Sequence, residues 1–397
     1  MLTLYGLGTI LGAGIYVLLG EVARLAGPAT PVAFMLAAMI AAFSALSYAE
    51  LAARLPRSAG EAAYVEAAFA WPPATALVGW AVIATGVISS ATLLRGFVGY
   101  LDVFVELPSH IVIVVLVAAL GVLAAWGIVE SMWVAGAVTI LEVVGLVGVC
   151  TVASDSFATM PSRWPEFLDL TRIGAVEGVL AGSFIAFYAF IGFEDMVNVA
   201  EEVIEPTHTL PRAIVAALVL AAGLYVIVAV LVTLALPAEL LAGSDAPMAL
   251  IMQSRDISPT YISLISLFAV INGALIQLIM ASRVLYGLAA QRLAWSGFAR
   301  IHATRQTPLV ATAVIAIAIL TFALTLSLGR LAGFTSFIAL GIFATVNVAL
   351  LRLKHHAPRV ATFTVPVFVP VTGALLCGGM LAFQILSAIS AWSDAAA

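Results

Sequence analysis

The chain has 397 residues, 63% of them hydrophobic and only 9% charged, with a formal net charge of −5 and a mean hydropathy of +1.17. Soluble domains carry about a quarter charged residues, so this chain has too little polar surface to face water and must be solvated mainly by lipid. That excludes a soluble enzyme and makes a nucleic-acid partner unexpected, and it leaves the small net charge uninformative about other partners.

Eleven apolar spans follow one another, at about residues 2–20, 30–52, 75–101, 110–128, 132–152, 175–199, 213–236, 261–289, 309–328, 334–351 and 366–391. Each is near the ~20 residues that a bilayer requires. Hydrocarbon offers no partner for backbone polar groups, so spans of this length are expected to be helices. No alternation of apolar and polar residues supports strands. With the amino terminus placed in the cytoplasm, nine of the 16 basic residues fall in inner loops, among them Arg54, Arg57, Arg300, Arg352 and Lys354. This bias of positive charge sets the orientation. The first basic residue, Arg24, follows the first apolar run instead of preceding it, so no cleaved leader is expected. The longest outer connections, 153–174 and 237–260, contain proline, serine and acidic residues and read as exposed loops. No soluble domain fits between spans, so residues 1–397 form one membrane domain. Cys150 and Cys377 lie in apolar runs with no metal or disulfide spacing.

Two spans are irregular. The first contains GLGTILGAGI, with glycines at Gly6, Gly8, Gly12 and Gly14, although glycine disfavours a helix interior. The sixth contains Gly192 at its middle, followed by Phe193, Glu194 and Asp195. A carboxylate at the centre of a spanning helix costs about 2.5–3.5 kcal/mol on insertion scales. The two spans lie five apart, and interrupted helices at matching positions of two halves point to a transporter's midplane site. The glycines then let the first helix unwind near 12–14. Freed N–H groups of the outer half-helix can hold a substrate carboxylate, and freed carbonyls can accept from an ammonium. A rival reading makes Gly8 and Gly12 a close-packing pair.

GLGTILGAGIYVLLG, with AGPATPVAF and SYAELAARLPRSAGEAAYVEAAF after it, resembles the amino-terminal signature of the amino acid–polyamine–organocation (APC) permeases. AFYAFIGFEDMVNVAEEVIEPTHTLPRAI is similar to the sixth helix and inner loop of that superfamily. The bacterial amino acid permease and cationic-amino-acid-transporter-like branches are nearest. The resemblance implies an all-α, five-plus-five inverted-repeat fold with broken first and sixth helices. The repeats would cover about 1–152 and 173–353, with an extra helix at about 364–391. It also implies substrate contacts at Ile10, Gly12, Ala13 and Gly14, and around Phe187, Phe190 and Ile191, with Phe190 as an aromatic lid. Relatives carry a hydrophilic amino-terminal tail and twelve spans. This chain starts within its first span and stops after the eleventh, which puts its carboxyl terminus outside.

The fifth span holds a lone acid, Glu142, about eleven residues deep, near the membrane middle at ~1.5 Å per residue. Some relatives have a lysine near this position, but Lys354 is the only lysine here, so a lysine-based mechanism does not carry over. A desolvated carboxyl takes up a proton more readily, which makes Glu142 a proton-coupling candidate. The alternatives are the counter-charge of a cationic substrate and a structural acid. Glu194 is a second candidate for coupling or gating. Glu50, Arg54 and Arg57 could close the inner side together with Glu201 or Glu202.

The sequence thus predicts secondary transport of amino acids by alternating access, coupled to protons, in the cytoplasmic membrane. The partners are a small amino acid or related amine, the proton and the lipid. No cofactor or metal is expected, no motif in the spans suggests an enzyme, and no oligomeric state is assigned. An amine or polyamine carrier and a non-transporting amino-acid sensor are the alternatives.

Overall fold

A computed structural model describes residues 1–12, 14–57, 60–127, 132–169, 171, 174–302, 305, 307–356 and 362–396. Among these, every regular element is a helix. The first apolar stretch is divided into α1 (Leu2–Leu11), α2 (Gly14–Ala26) and α3 (Thr30–Arg54), with Gly27 and Pro28 turning the chain between the last two. A short α4 (Gly60–Phe69) leads into α5 (Pro72–Leu101), α6 (Ser109–Trp126) and α7 (Met132–Val152). Next come a short α8 (Met160–Leu168), α9 (Ala175–Phe187) and α10 (Pro206–Ala235). The short α11 (Ala238–Ala242) and α12 (Pro247–Ser254) precede α13 (Thr260–Ala290), α14 (Leu309–Thr325), α15 (Leu328–His356) and α16 (Phe368–Ala396).

Nine stretches among the described residues are long and apolar enough to cross a membrane, and α14 is a shorter apolar helix. Residues 2–54 count as one such stretch but contain two expected spans, so each of the eleven spans has its helix. The connections differ from the sequence reading. Residues 237–260 are not simply an exposed loop: α12 buries Met248, Ile251 and Met252, because PMALIM is apolar enough to pack inward. The 153–174 connection likewise carries α8.

α1 packs between α7 and α10, and α2 lies beside α9. Around them, α13 runs along α5, α10 along α3, and α15 touches both α5 and α16. The interrupted helices are therefore interior. The rim shows apolar side chains outward, such as Val115 and Val122 on α6, Ile317 on α14, and Leu375 and Leu386 on α16. Such faces are stable against lipid tails, which are as apolar as they are.

Polar contacts also join the helices. Asn347 of α15 accepts from Ser47 Oγ at 2.6 Å and donates to Ser44 Oγ at 3.0 Å, joining α15 to α3. Glu50, fully buried in the last turns of α3, lies 2.6 Å from Arg54 Nη2 and 2.6 Å from Lys354 Nζ. It also accepts from the Val365 N–H at 2.7 Å, while Lys354 donates to the Val365 carbonyl at 2.6 Å. The sequence reading grouped Glu50 with Arg54 and Arg57 and with Glu201 or Glu202; the structure pairs Glu50 with Arg54 and with Lys354, which arrives from the far end of the chain.

Candidate functional site

The two helix breaks meet. α1 ends at Leu11 and α2 starts at Gly14. α9 ends at Phe187, and the chain continues through a tight turn over 188–190 and a 3₁₀ segment, Phe193–Glu202. Gly192 sits between these with φ +130, where an L side chain is strained. A Cβ there would lie 2.4 Å from the Thr9 carbonyl oxygen, and one on Gly14 would lie 2.2 Å from Ala189 Cα. Only glycine permits either approach. Thr9 Oγ1 donates at 2.9 Å to the carbonyls of both Gly6 and Gly192, tying the breaks together. Gly8 does pack closely, since a Cβ there would meet Thr139 of α7. The helix is interrupted between Leu11 and Gly14, and the close packing expected of the Gly8–Gly12 pair is found at Gly8.

A cavity of about 30 Å³ lies where the breaks meet, room for one or two water molecules. Thr9, Ile10, Gly12 and Gly14 line it from the first break, and Tyr188 and Ile191 from the second. Ser89 and Leu93 of α5 and Gly273, Ile276 and Gln277 of α13 complete it. Among the described residues, no charged side chain belongs to this lining. What it offers is backbone at two helix ends, three hydroxyls and an amide. The N–H groups of a helix's first turn lack intrahelical partners and carry the positive end of the dipole, so the start of α2 suits an anionic group. The end of α1 presents carbonyls, which suit an ammonium. The Ile10 carbonyl is already held by Tyr225 Oη at 2.7 Å.

Ile10, Gly12, Gly14 and Ile191 thus stand together as the sequence reading placed them. Ala13 lies outside the described residues. Phe187 and Phe190 are fully buried but outside this lining: Phe190 packs edge-on against Tyr225, with ring centres 5.2 Å apart, and Phe187 against Phe343 at 5.6 Å. Tyr188 takes the cavity-facing place instead, with its hydroxyl 2.9 Å from Ser89 Oγ.

Glu142 is 1% exposed on α7. A Cβ on Gly12 would lie 3.8 Å from its Oε1, so the carboxyl stands beside the first break. Its backbone carbonyl accepts from Tyr16 Oη at 2.7 Å. Glu194 turns back on its own break, accepting from the Gly192 N–H at 2.8 Å, and Asp195 accepts from Gln277 Nε2 at 3.1 Å. Sequence reasoning missed Gln277 and Ser89. The signals were there: Gln277 is a lone amide within LIQLIM, and Ser89 belongs to a Ser-Ser pair inside an apolar span.

A sequence model of the amino acid permease family matches residues 2–393. The branched-chain amino acid permease BcaP of Bacillus subtilis is 29% identical over 90% of this chain and 80% of its own length. Cationic amino acid transporter 2, vacuolar, of Arabidopsis thaliana is 30% identical over 89% of this chain, and cationic amino acid transporter 4 of Mus musculus is 30% identical over 90%. The chain spans 59% and 60% of those two proteins.

Proposed function

The chain belongs to the amino acid permease family, and from that premise we propose that it carries amino acids across the cytoplasmic membrane by alternating access, coupled to protons. The observation that carries this reading is the interlock of the two breaks around an uncharged, backbone-lined cavity. A site of that kind recognises the carboxylate and amine shared by every amino acid and leaves selection to the shape of the pocket. The α-carboxylate binds at the start of α2, by the N–H groups near Gly12, Ala13 and Gly14. The ammonium binds at the carbonyl end of α1 and along Ile191. Phe187 and Phe190 back the second break from behind. At about 30 Å³, the cavity admits no amino acid until its walls separate, as a site that opens alternately to each side requires.

Glu142 is the coupling group in this reading, because its carboxyl adjoins Gly12 and a substrate bound there changes its surroundings directly. Residues 1–152 and 173–353 act as two inverted halves, with the amino terminus in the cytoplasm and α16 outside the repeat. Uptake of labelled amino acids into proteoliposomes, with and without an inward proton gradient, tests this. Wild type should accumulate substrate against its gradient, and Glu142→Gln should retain only exchange. Equal accumulation by both proteins removes Glu142 from coupling. Binding without any flux would replace transport with sensing, and competition by diamines but not by amino acids would make the cargo an amine.

A further inference from the structure

A second cavity, of about 20 Å³ and so with room for about one water molecule, lies on the other side of Gln277. Glu61 of α4 and Glu194 and Asp195 of the second break open onto it, with Thr85, Asn198 and Phe343 in its wall. The three acids are only 4%, 8% and 4% exposed. Among the described residues, no arginine, lysine or histidine belongs to the lining. The donors to these acids are neutral: Glu61 accepts from Tyr48 Oη at 3.1 Å and from its own backbone N–H, Glu194 from the Gly192 N–H at 2.8 Å and from its own, and Asp195 from Gln277 Nε2 at 3.1 Å. Two buried polar groups here have no hydrogen-bond partner, Gln277 Oε1 and the Tyr64 hydroxyl. Gln277 is 8% exposed and Tyr64 is fully buried.

Three ionised carboxylates held by neutral donors would leave buried charge uncompensated, which is strongly unfavourable for each ion. Either a cation enters or the carboxyls carry protons. Among the described residues, no three Asp, Glu, His or Cys side chains are grouped closely enough to hold a metal ion. Protons need no such grouping. A protonated carboxyl is also a donor, and the unpartnered Gln277 oxygen belongs to the amide that Asp195 already touches.

We propose that Glu61, Glu194 and Asp195 form a proton site separate from Glu142, and that Gln277, which borders both cavities, transmits its state to the substrate cavity. With Asp195 ionised, Gln277 directs its NH₂ toward Asp195. With Asp195 protonated, the carboxyl donates to the amide oxygen and the NH₂ is released to turn toward substrate. Proton and substrate then affect each other's binding equally, as linkage requires. The other titratable groups around the site are Tyr48 from α3 and Tyr64 from α4. α5, α13 and α15 contribute Thr85, Gln277 and Phe343, which do not titrate. Arg54 and Lys354, at the end of α3 and on α15, are engaged by Glu50. The relay through Gln277 rests on the substrate reading of the first cavity, whereas the proton site does not.

Infrared difference spectra of the purified full-length protein in lipid nanodiscs, between about pH 5 and about pH 9, read protonated carboxyls directly and need no transport. Wild type should show a buried carboxylic-acid band near neutral pH, and Glu61→Gln and Asp195→Asn should each remove one carboxyl's share of it. Both substitutions keep side-chain shape, and either alone decides if the other fails to fold. A band unchanged in the variants overturns the site, as does one that disappears when choline is replaced by sodium or potassium. The relay is read separately, from the pH profile of binding of a labelled amino-acid mixture. Gln277→Leu should flatten that profile while leaving the carboxyl band in place, and an unaltered profile overturns the relay.

Discussion

The two helix breaks perform the same task by opposite means. The first is short and carries no charge of its own, so its freed groups are served by other helices: Tyr225 caps Ile10 from α10, and Glu142 adjoins Gly12 from α7. The second brings its own chemistry, with Glu194 capping the Gly192 N–H two residues back. It also depends on one backbone geometry, φ +130 at Gly192, that only glycine adopts comfortably. A break built from borrowed partners should lose stability in small steps. A break built on one glycine should fail at once.

The sharpest test is Gly192→Ala. The strained φ and the 2.4 Å approach to Thr9 should together cost roughly 2–5 kcal/mol, seen as a much lower thermal midpoint in detergent and loss of uptake. Gly12→Ala, whose Cβ would sit 3.0 Å from the Gly8 carbonyl, should be milder, and equal damage at both sites would abolish the distinction. Tyr225→Phe leaves the buried Ile10 carbonyl without its donor, at about 1–3 kcal/mol. Thr9→Val cuts the link between the breaks and should cost about 1 kcal/mol, with uptake falling more than stability if the interlock aligns the site.

The smallest effect concerns Glu61, on α4 and outside the spanning helices. Burial raises its carboxyl above the usual range, opposed by its own backbone N–H and by the Tyr48 hydroxyl. The folded state therefore holds this proton more tightly than the unfolded chain does. The resulting stabilisation is complete at low pH and is lost as pH rises through the raised value. Glu61→Gln cannot lose it. The difference in thermal midpoint should shift in the variant's favour between about pH 5 and about pH 8, and a parallel pH dependence would show that Glu61 does not titrate there.

The eleven spans and both breaks were legible in the sequence, because length, glycine spacing and buried acids are properties of the chain itself. Glu142 was legible too, since its depth follows from counting residues. Which side chains face each other across helices was not. Gln277 and Ser89 reach the cavity through the rotation of α13 and α5, which no local pattern encodes. Tyr188 replaces Phe190 in the lining because the chain tightens after Phe187, and the 3₁₀ turn has three residues per turn instead of 3.6. The resemblance named Phe190, whose ring packs on Tyr225 in this structure. Glu61 was passed over because it sits in a loop motif, where an acid is ordinarily solvated.

The Glu50 cluster bears on how the protein is made. Glu50 leaves the ribosome long before Lys354 and Val365 exist, yet its final place admits no water. Arg54, one turn further along α3, is the counterion that emerges with it, so the nascent helix enters the bilayer already close to neutral. The later arrival of α15 and the segment before α16 converts that provisional pair into a clasp on the Val365 backbone. The last helix is in this way registered against the second span, and completion of the chain is what makes the early charge permanent.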